Sequence, residues 1–276
     1  MKYSICITSP EVACTIPVAL LEGSFQERLR KAADFGYDGI ELLAAEPRSI
    51  DVPSMKEMVV SHGLEVSAIS SGALALGRGL TLLAADEATR LVARKRLAEL
   101  VVLASELGSP VVTVGSFRGR AAAVGGVDNA RQLLAEVLGE AADFAAGRGV
   151  NLALEPINRW DMDYLHNAQE TIDFIESVGT SALGLLLDTF HMNVEEASFE
   201  NCFRSAALRG LLHHVHLGDS NRLPPGQGHI DFASILRTLR EAGYQGYLSM
   251  ELLAGTSPDE AGRESIQAMR RFHDSR

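Results

Sequence analysis

Short apolar runs alternate with longer amphipathic segments along the whole chain. The runs with strand character cover residues 3–7, 39–43, 65–69, 110–114, 151–155, 183–188, 213–217 and 247–251. They recur at a mean spacing of about 35 residues, the length of a strand plus a returning helix. The segments between them carry helix punctuation. Ser24 with Glu27, Ser54 with Glu57 and Ser257 with Glu260 have the capping-box spacing, and Asn167 with Glu170 gives a similar start. Pro258 suits a first helical position. Gly36, Gly63, Gly108, Gly179, Gly210 and Gly243 stand where helices should stop. Residues 86–107 form a long segment with Leu91, Leu97, Leu100, Val101 and Leu107 at helical spacing.

Eight strands alternating with eight helices predict an α/β fold, a (β/α)8 TIM barrel, as a single domain over residues 1–276. An open doubly wound sheet is the competing arrangement. It usually carries a glycine-rich phosphate loop after its first strand, and TSPEVACT has none. In a barrel the active site lies at the C-terminal ends of the strands. The polar residues that terminate strands therefore become the candidates.

Composition narrows the class further. Hydrophobic residues make up 46% and charged residues 22%, as in an ordinary soluble protein. The net charge of −11 disfavours a general nucleic-acid binder, while still allowing a local basic site. Cys6, Cys14 and Cys202 are scattered and form no CxxC pair, which suits a reducing cytoplasm. No apolar run approaches the roughly 18 residues of a membrane span. The opening MKYSICITSP reads as a first strand rather than a signal peptide. The expectation is a cytoplasmic protein with neither nucleic-acid nor membrane partners.

Four predicted strands finish on metal-competent side chains: Glu155, Asp188 (with His191 three residues on), His216 and Glu251. Pro156 supplies no N–H to a ladder and should end its strand. Taken singly, each carboxylate fits a helix N-cap or a surface position. Four such residues at one end of one barrel would repel one another without a cation. His214 shares a strand face with His216, so alternation leaves open which of the two binds. Three oxygens and one nitrogen suit Mn²⁺, Mg²⁺, Co²⁺ or Zn²⁺. An ion with open positions, chelating a carbonyl oxygen and the adjacent hydroxyl oxygen, would acidify the C–H beside the carbonyl and stabilise an enediolate. Glu155 and Glu251, from different strands, are the candidate acid–base pair on its two faces. Arg118 and Arg120 follow strand four; a guanidinium there could grip a carboxylate or phosphate, although a surface loop pair fits equally well. Arg222 lies on the Pro/Gly-rich loop LPPGQGH, which could form a rim or lid. Trp160 could stack on a sugar face, and His62 and His229 read as structural.

The segments LEPINRWD (154–161), LLLDTFHMNVEE (185–196), HVHLGDSNRLPPGQGHIDF (214–232) and MELL (250–253) resemble the ketose 3-epimerases of the xylose-isomerase-like barrels, the D-tagatose and D-psicose 3-epimerase group. With GSFRGR (115–120), the loop around Arg222 looks closest to the 5-keto-L-gluconate epimerase type. The resemblance implies that Glu155, Asp188, His216 and Glu251 hold one divalent ion per chain, Mn²⁺ foremost. It implies that His191 and Arg222 hold substrate oxygens, and that Asp161, where the family has Glu, contacts a substrate hydroxyl. It implies a small sugar or sugar-acid substrate and a homo-oligomer, dimer or tetramer. Arg118 and Arg120 as grips would favour a sugar acid. An aldose–ketose or hydroxypyruvate-type isomerase on the same barrel is the alternative. An apurinic-site endonuclease ranks lower, because the loops SSGALALG and GSFRGR lack the extra histidines a multinuclear cluster needs. A sugar-binding protein without catalysis would have no use for two opposed bases.

Overall fold

The computed structural model describes residues 1–255 and 257–274. Eight parallel strands close into a barrel in sequence order, β8 pairing back onto β1. They are β1 Lys2–Thr8, β2 Gly39–Leu43, β3 Glu65–Ser70, β4 Val111–Val114, β5 Asn151–Leu154, β6 Leu183–Asp188, β7 Leu212–Leu217 and β8 Tyr247–Met250. The expected TIM barrel is therefore the observed fold. Strands β5 and β8 stop one residue before Glu155 and Glu251. Each glutamate still makes one ladder bond, Glu155 N–H to Val114 O and Glu251 N–H to Leu217 O.

Ten α-helices occur among the described residues: α1 Phe25–Phe35, α2 Val52–Ser61, α3 Gly72–Arg78, α4 Glu87–Leu107, α5 Val127–Ala146, α6 Ala168–Val178, α7 Thr189–Glu195, α8 Phe199–Leu208, α9 Phe232–Glu241 and α10 Pro258–Asp274. The two beyond the expected eight, α3 and α7, are short and follow β3 and β6 at the C-terminal mouth. Ser24 and Glu27 form the expected capping box. Asn167 and Ser257 accept from the N–H groups of Glu170 and Glu260. Ser54 does not cap α2. Asp51, three residues earlier, accepts the Ser54 N–H and starts the helix instead. None of these helices is long and apolar enough to cross a membrane.

Alternation along the strands sorts two environments. Ile5, Ile7, Ile40, Leu42, Val112, Val114, Leu152, Leu154, Leu185, Leu187, Val215, Leu217, Leu248 and Met250 join the large apolar core under the helices. The opposite parity faces the barrel axis. There Ala68, Val111, Ala153 and Leu186 form a small separate apolar cluster. Glu41, His214, His216, Asp188 and Ser249 are also of that parity and fully or almost fully buried. One side of the axis is thus polar, and that polarity rises to the C-terminal mouth.

Candidate active site

The β6–β7 register sets Asp188 directly beside His216. Asp188 closes β6 and caps α7: one carboxylate oxygen accepts the Phe190 N–H at 2.8 Å. Its other oxygen, Oδ2, is buried and has no hydrogen-bond partner among the described residues. The cap and the candidate ligand are two oxygens of one side chain. Glu155 Oε1 and His216 Nδ1 are buried without partners in the same way. His216 Nδ1 lies 3.8 Å from Glu155 Oε1 and 3.5 Å from Glu251 Oε2. One ligand atom from each of Glu155, Asp188, His216 and Glu251 falls within 4.8 Å of every other.

Leaving a buried polar atom unpaired costs about 1–3 kcal/mol, and more for a charged one. Three such atoms converging on one point, with a third carboxylate, Glu251, beside them, fit a divalent cation and are poorly explained by packing alone. The donor set of three oxygens and an imidazole nitrogen suits a hard-to-borderline ion. Without the ion the charges are lopsided. Burial, and then Glu251, raise the Glu155 carboxyl above its usual range. Burial also raises Asp188, against the pull of Arg222. Burial works against ionising Glu251, but His216 and Arg222 hold it low. Two carboxyl groups pushed in opposite directions are the usual mark of paired proton-transfer roles.

Glycine at position 115 is required by this packing. A Cβ there would lie 2.2 Å from Glu155 Oε2. Gly115→Ala should displace the carboxylate and weaken the affinity of the cluster for a divalent ion by about 10–100-fold, the scale of outer-shell disturbances. Titration calorimetry on the folded variant checks this, and wild-type affinity would count against it.

The remaining candidates separate. Arg222 is a non-glycine residue with φ of 59°, and its Nη2 donates to Glu251 Oε2 at 2.5 Å and lies 3.7 Å from Asp188 Oδ2. A strained backbone at a side chain aimed into the cluster is typical of functional positions. His191 is buried, its Nε2 3.8 Å from Glu155 Oε1 and 4.0 Å from Asp188 Oδ2. Its Nδ1 lies 2.7 Å from Asn158 Nδ2. That amide is oriented by the Trp160 and Asp161 N–H groups, which donate to its Oδ1. Nδ1 therefore accepts from Asn158, and Nε2 faces the cavity, 3.4 Å from Arg222 Nη1. Asp161 lines the cavity and accepts from Asn158 Nδ2 at 2.9 Å.

Arg118 and Arg120 have different environments. Arg120 lines the cavity, its guanidinium donating to the Asp161 carbonyl at 2.5 Å. Arg118 is fully buried and spends its guanidinium on the carbonyls of Gly115, Glu155, Tyr164 and Leu165. Those four bonds tie the loop after β5 to the barrel; the Nε–H alone has no partner among the described residues, and the side chain is buried outside the cavity lining, where no substrate grip is on view. Trp160 is 73% exposed, and only its backbone is engaged with Asn158. His214, left open against His216, points its Nε2 to Glu41 Oε2 at 2.8 Å. Glu41 itself was not singled out. A lone acidic residue inside the apolar run GIELL was the available signal.

Glu155, His216 and Glu251 line a cavity of about 570 Å³ that also takes in Ser70, Thr113 and Met162. This volume falls in the small-molecule range of roughly 300–1,000 Å³. A closed parallel barrel with carboxylates and an imidazole gathered at such a mouth defines a barrel enzyme. The chain belongs to the xylose isomerase-like TIM barrel family, whose description matches residues 29–272, and to the isomerase class of its curated relatives. An L-ribulose 3-epimerase of Mesorhizobium japonicum is 33% identical over 241 residues, 87% of this chain and 79% of its own. A ketose 3-epimerase of Arthrobacter globiformis is 28% identical over 238 residues, 84% of this chain and 79% of its own. Among solved structures, an L-ribulose 3-epimerase superposes with a TM-score of 0.80 at 26% identity, covering 98% of this chain and 95% of that one.

Proposed function

We propose that this chain is a divalent-metal-dependent epimerase of ketoses or keto sugar acids, with Glu155 and Glu251 as its acid–base pair. One observation carries the reading: two glutamates from β5 and β8 meet at the barrel mouth around unpartnered donor atoms of Asp188 and His216. Glu155, Asp188, His216 and Glu251 would hold the ion, with Mn²⁺ the first choice and Co²⁺, Mg²⁺ or Zn²⁺ compatible with the same donors. When bound, the ion supplies positive charge that acidifies the C–H beside the sugar carbonyl.

The chain's own residues do the rest. One glutamate takes the proton from one face of that carbon, and the other returns a proton to the opposite face, so the carbon inverts. The reverse reaction exchanges their roles. His191, through Nε2, and Arg222, through its guanidinium, hold substrate oxygens near the cluster. Asp161 and Arg120 meet the far end of the sugar, where Arg120 would favour a carboxylate substituent. The names of the relatives support a ketose as the substrate class.

The test is isotope incorporation. Ketohexoses, ketopentoses and 5-keto sugar acids are incubated with the Mn²⁺-loaded protein in D₂O. Epimeric product with deuterium at the carbon beside the carbonyl is expected for at least one member. No incorporation with any would overturn the proposal. An aldose as the only labelled product would move the assignment to an aldose–ketose isomerase.

A further inference from the structure

Glu41 lies in the middle of β2, with its side chain fully buried near the barrel axis. Both its oxygens are 3.1 Å from His216 Nε2, and Oε2 is also 2.8 Å from His214 Nε2. It stands below the four-residue cluster, behind His216, and takes no part in the cavity wall. We infer that Glu41 is a positioning residue for the ion site, fixing the tautomer and ring orientation of His216 so that Nδ1 is presented as the ligand atom. This inference rests on the metal reading given above.

An ionised carboxylate can only accept hydrogen bonds. Each imidazole nitrogen facing Glu41 must therefore bring a proton. For a neutral His216 that leaves the lone pair on Nδ1, the atom that faces Glu155 and Glu251 and has no partner of its own. The ring is pinned along one edge by two contacts to the carboxylate. His214 holds Oε2 of the same carboxylate as well, which keeps it from swinging away. A ligating histidine held from behind by a carboxylate is a general arrangement, because it orients the ring and raises its basicity. Here one carboxylate serves a ligand and a second histidine that stays outside the cluster.

Glutamine at position 41 would keep the shape but offer one acceptor and one N–H₂ where two acceptors stood. With two histidines to satisfy, one imidazole would face a donor or flip its proton to the other nitrogen. A proton on His216 Nδ1 blocks the ligand atom. Glu41→Gln is therefore expected to bind Mn²⁺ about 10–100-fold more weakly than wild type. Its Co²⁺-loaded form is expected to show an altered visible spectrum. Circular dichroism on the ion-free variant establishes that it folds. A merely structural Glu41 would lower the thermal midpoint and leave both metal readouts alone, and that result overturns the inference.

Two measurements on wild type need no variant. In the Zn²⁺-loaded protein, long-range ¹H–¹⁵N spectra should show the His216 proton on Nε2; a proton on Nδ1 would overturn the inference. Mn²⁺ titration should give one ion per chain. A second ion that disappears in His214→Ala would make Glu41 a ligand in its own right and overturn the positioning role. Wild type binding no ion would remove the metal reading itself. Wild type and Glu41→Gln binding alike would remove only this inference.

Discussion

Glu155→Gln and Glu251→Gln should each lower kcat for epimerisation by about 10²–10⁴-fold, the usual worth of a positioned acid or base. The amide keeps a carbonyl oxygen near the cluster, so ion binding weakens without being abolished, and assays at saturating Mn²⁺ isolate the proton-transfer loss. The two variants should also differ in a telling way. Each retains the base on one face, so each should still wash deuterium into one epimer while failing to make the other. Steady-state kinetics paired with one-sided exchange measured by NMR checks this. Full epimerase activity in either variant would remove that glutamate from the proton path. Loss of exchange in both directions in one variant, with both kept in the other, would point to a single shared base.

Chelation is expected to have the second large effect. Dialysis against EDTA should abolish turnover, and stoichiometric Mn²⁺ should restore it. An ion present at a hundredfold its Kd stabilises the fold by about 2.7 kcal/mol, so the loaded protein should unfold at a higher temperature. The pH dependence has a definite sign. In the ion-free chain burial raises Glu155 and Asp188, and Glu41 and Glu251 raise His216 against its burial. Relative to the unfolded chain, these groups hold extra protons in the folded state from the ordinary carboxylate range up through neutrality. Stability of the ion-free protein should therefore fall as pH rises from the ordinary imidazole range toward about 8, where burial has pushed Glu155. Glu251 and Glu41, held low by their histidine and arginine neighbours, act in the opposite sense at more acid pH, and His191 and His213, lowered by burial, do so up to the ordinary imidazole range. Ion binding releases the extra protons, so Mn²⁺ affinity should climb with pH. Thermal scans with and without Mn²⁺ should diverge as pH increases. Calorimetry in buffers of different ionisation enthalpy should register the released protons.

Much of this architecture is written locally. Each of the eight strands is a compact apolar run between turn residues, and glycine or a capping side chain marks most helix ends. Strand ends were legible to within a residue, because Pro156 and the charged Glu251 after Met250 interrupt the apolar runs. Four ligand candidates on four strand ends were legible for the same reason: the fold rule converts position along a strand into position at the mouth. What stayed hidden depends on contacts between distant segments. Alternation cannot be read where both strand faces are buried, so the inward direction of Glu41 in GIELL was invisible. The same limit left His214 and His216 undivided until the position of Glu41 distinguished them. Ser54 with Glu57 had the right spacing for a cap, but Asp51 was nearer the turn and won. Arg118 and Arg120 are two residues apart in one loop, and nothing in GSFRGR marks which one turns inward.

That last pair has a practical consequence for redesign. Arg118 clamps four backbone carbonyls, one of them that of Glu155, so the loop bearing Asn158 and Asp161 is anchored by a cation that never meets solvent. Arg120, its near neighbour, is exposed on the cavity wall and holds a single carbonyl. Libraries aimed at new sugars can therefore vary position 120 freely while keeping position 118 constant, altering what the mouth accepts without loosening the catalytic floor.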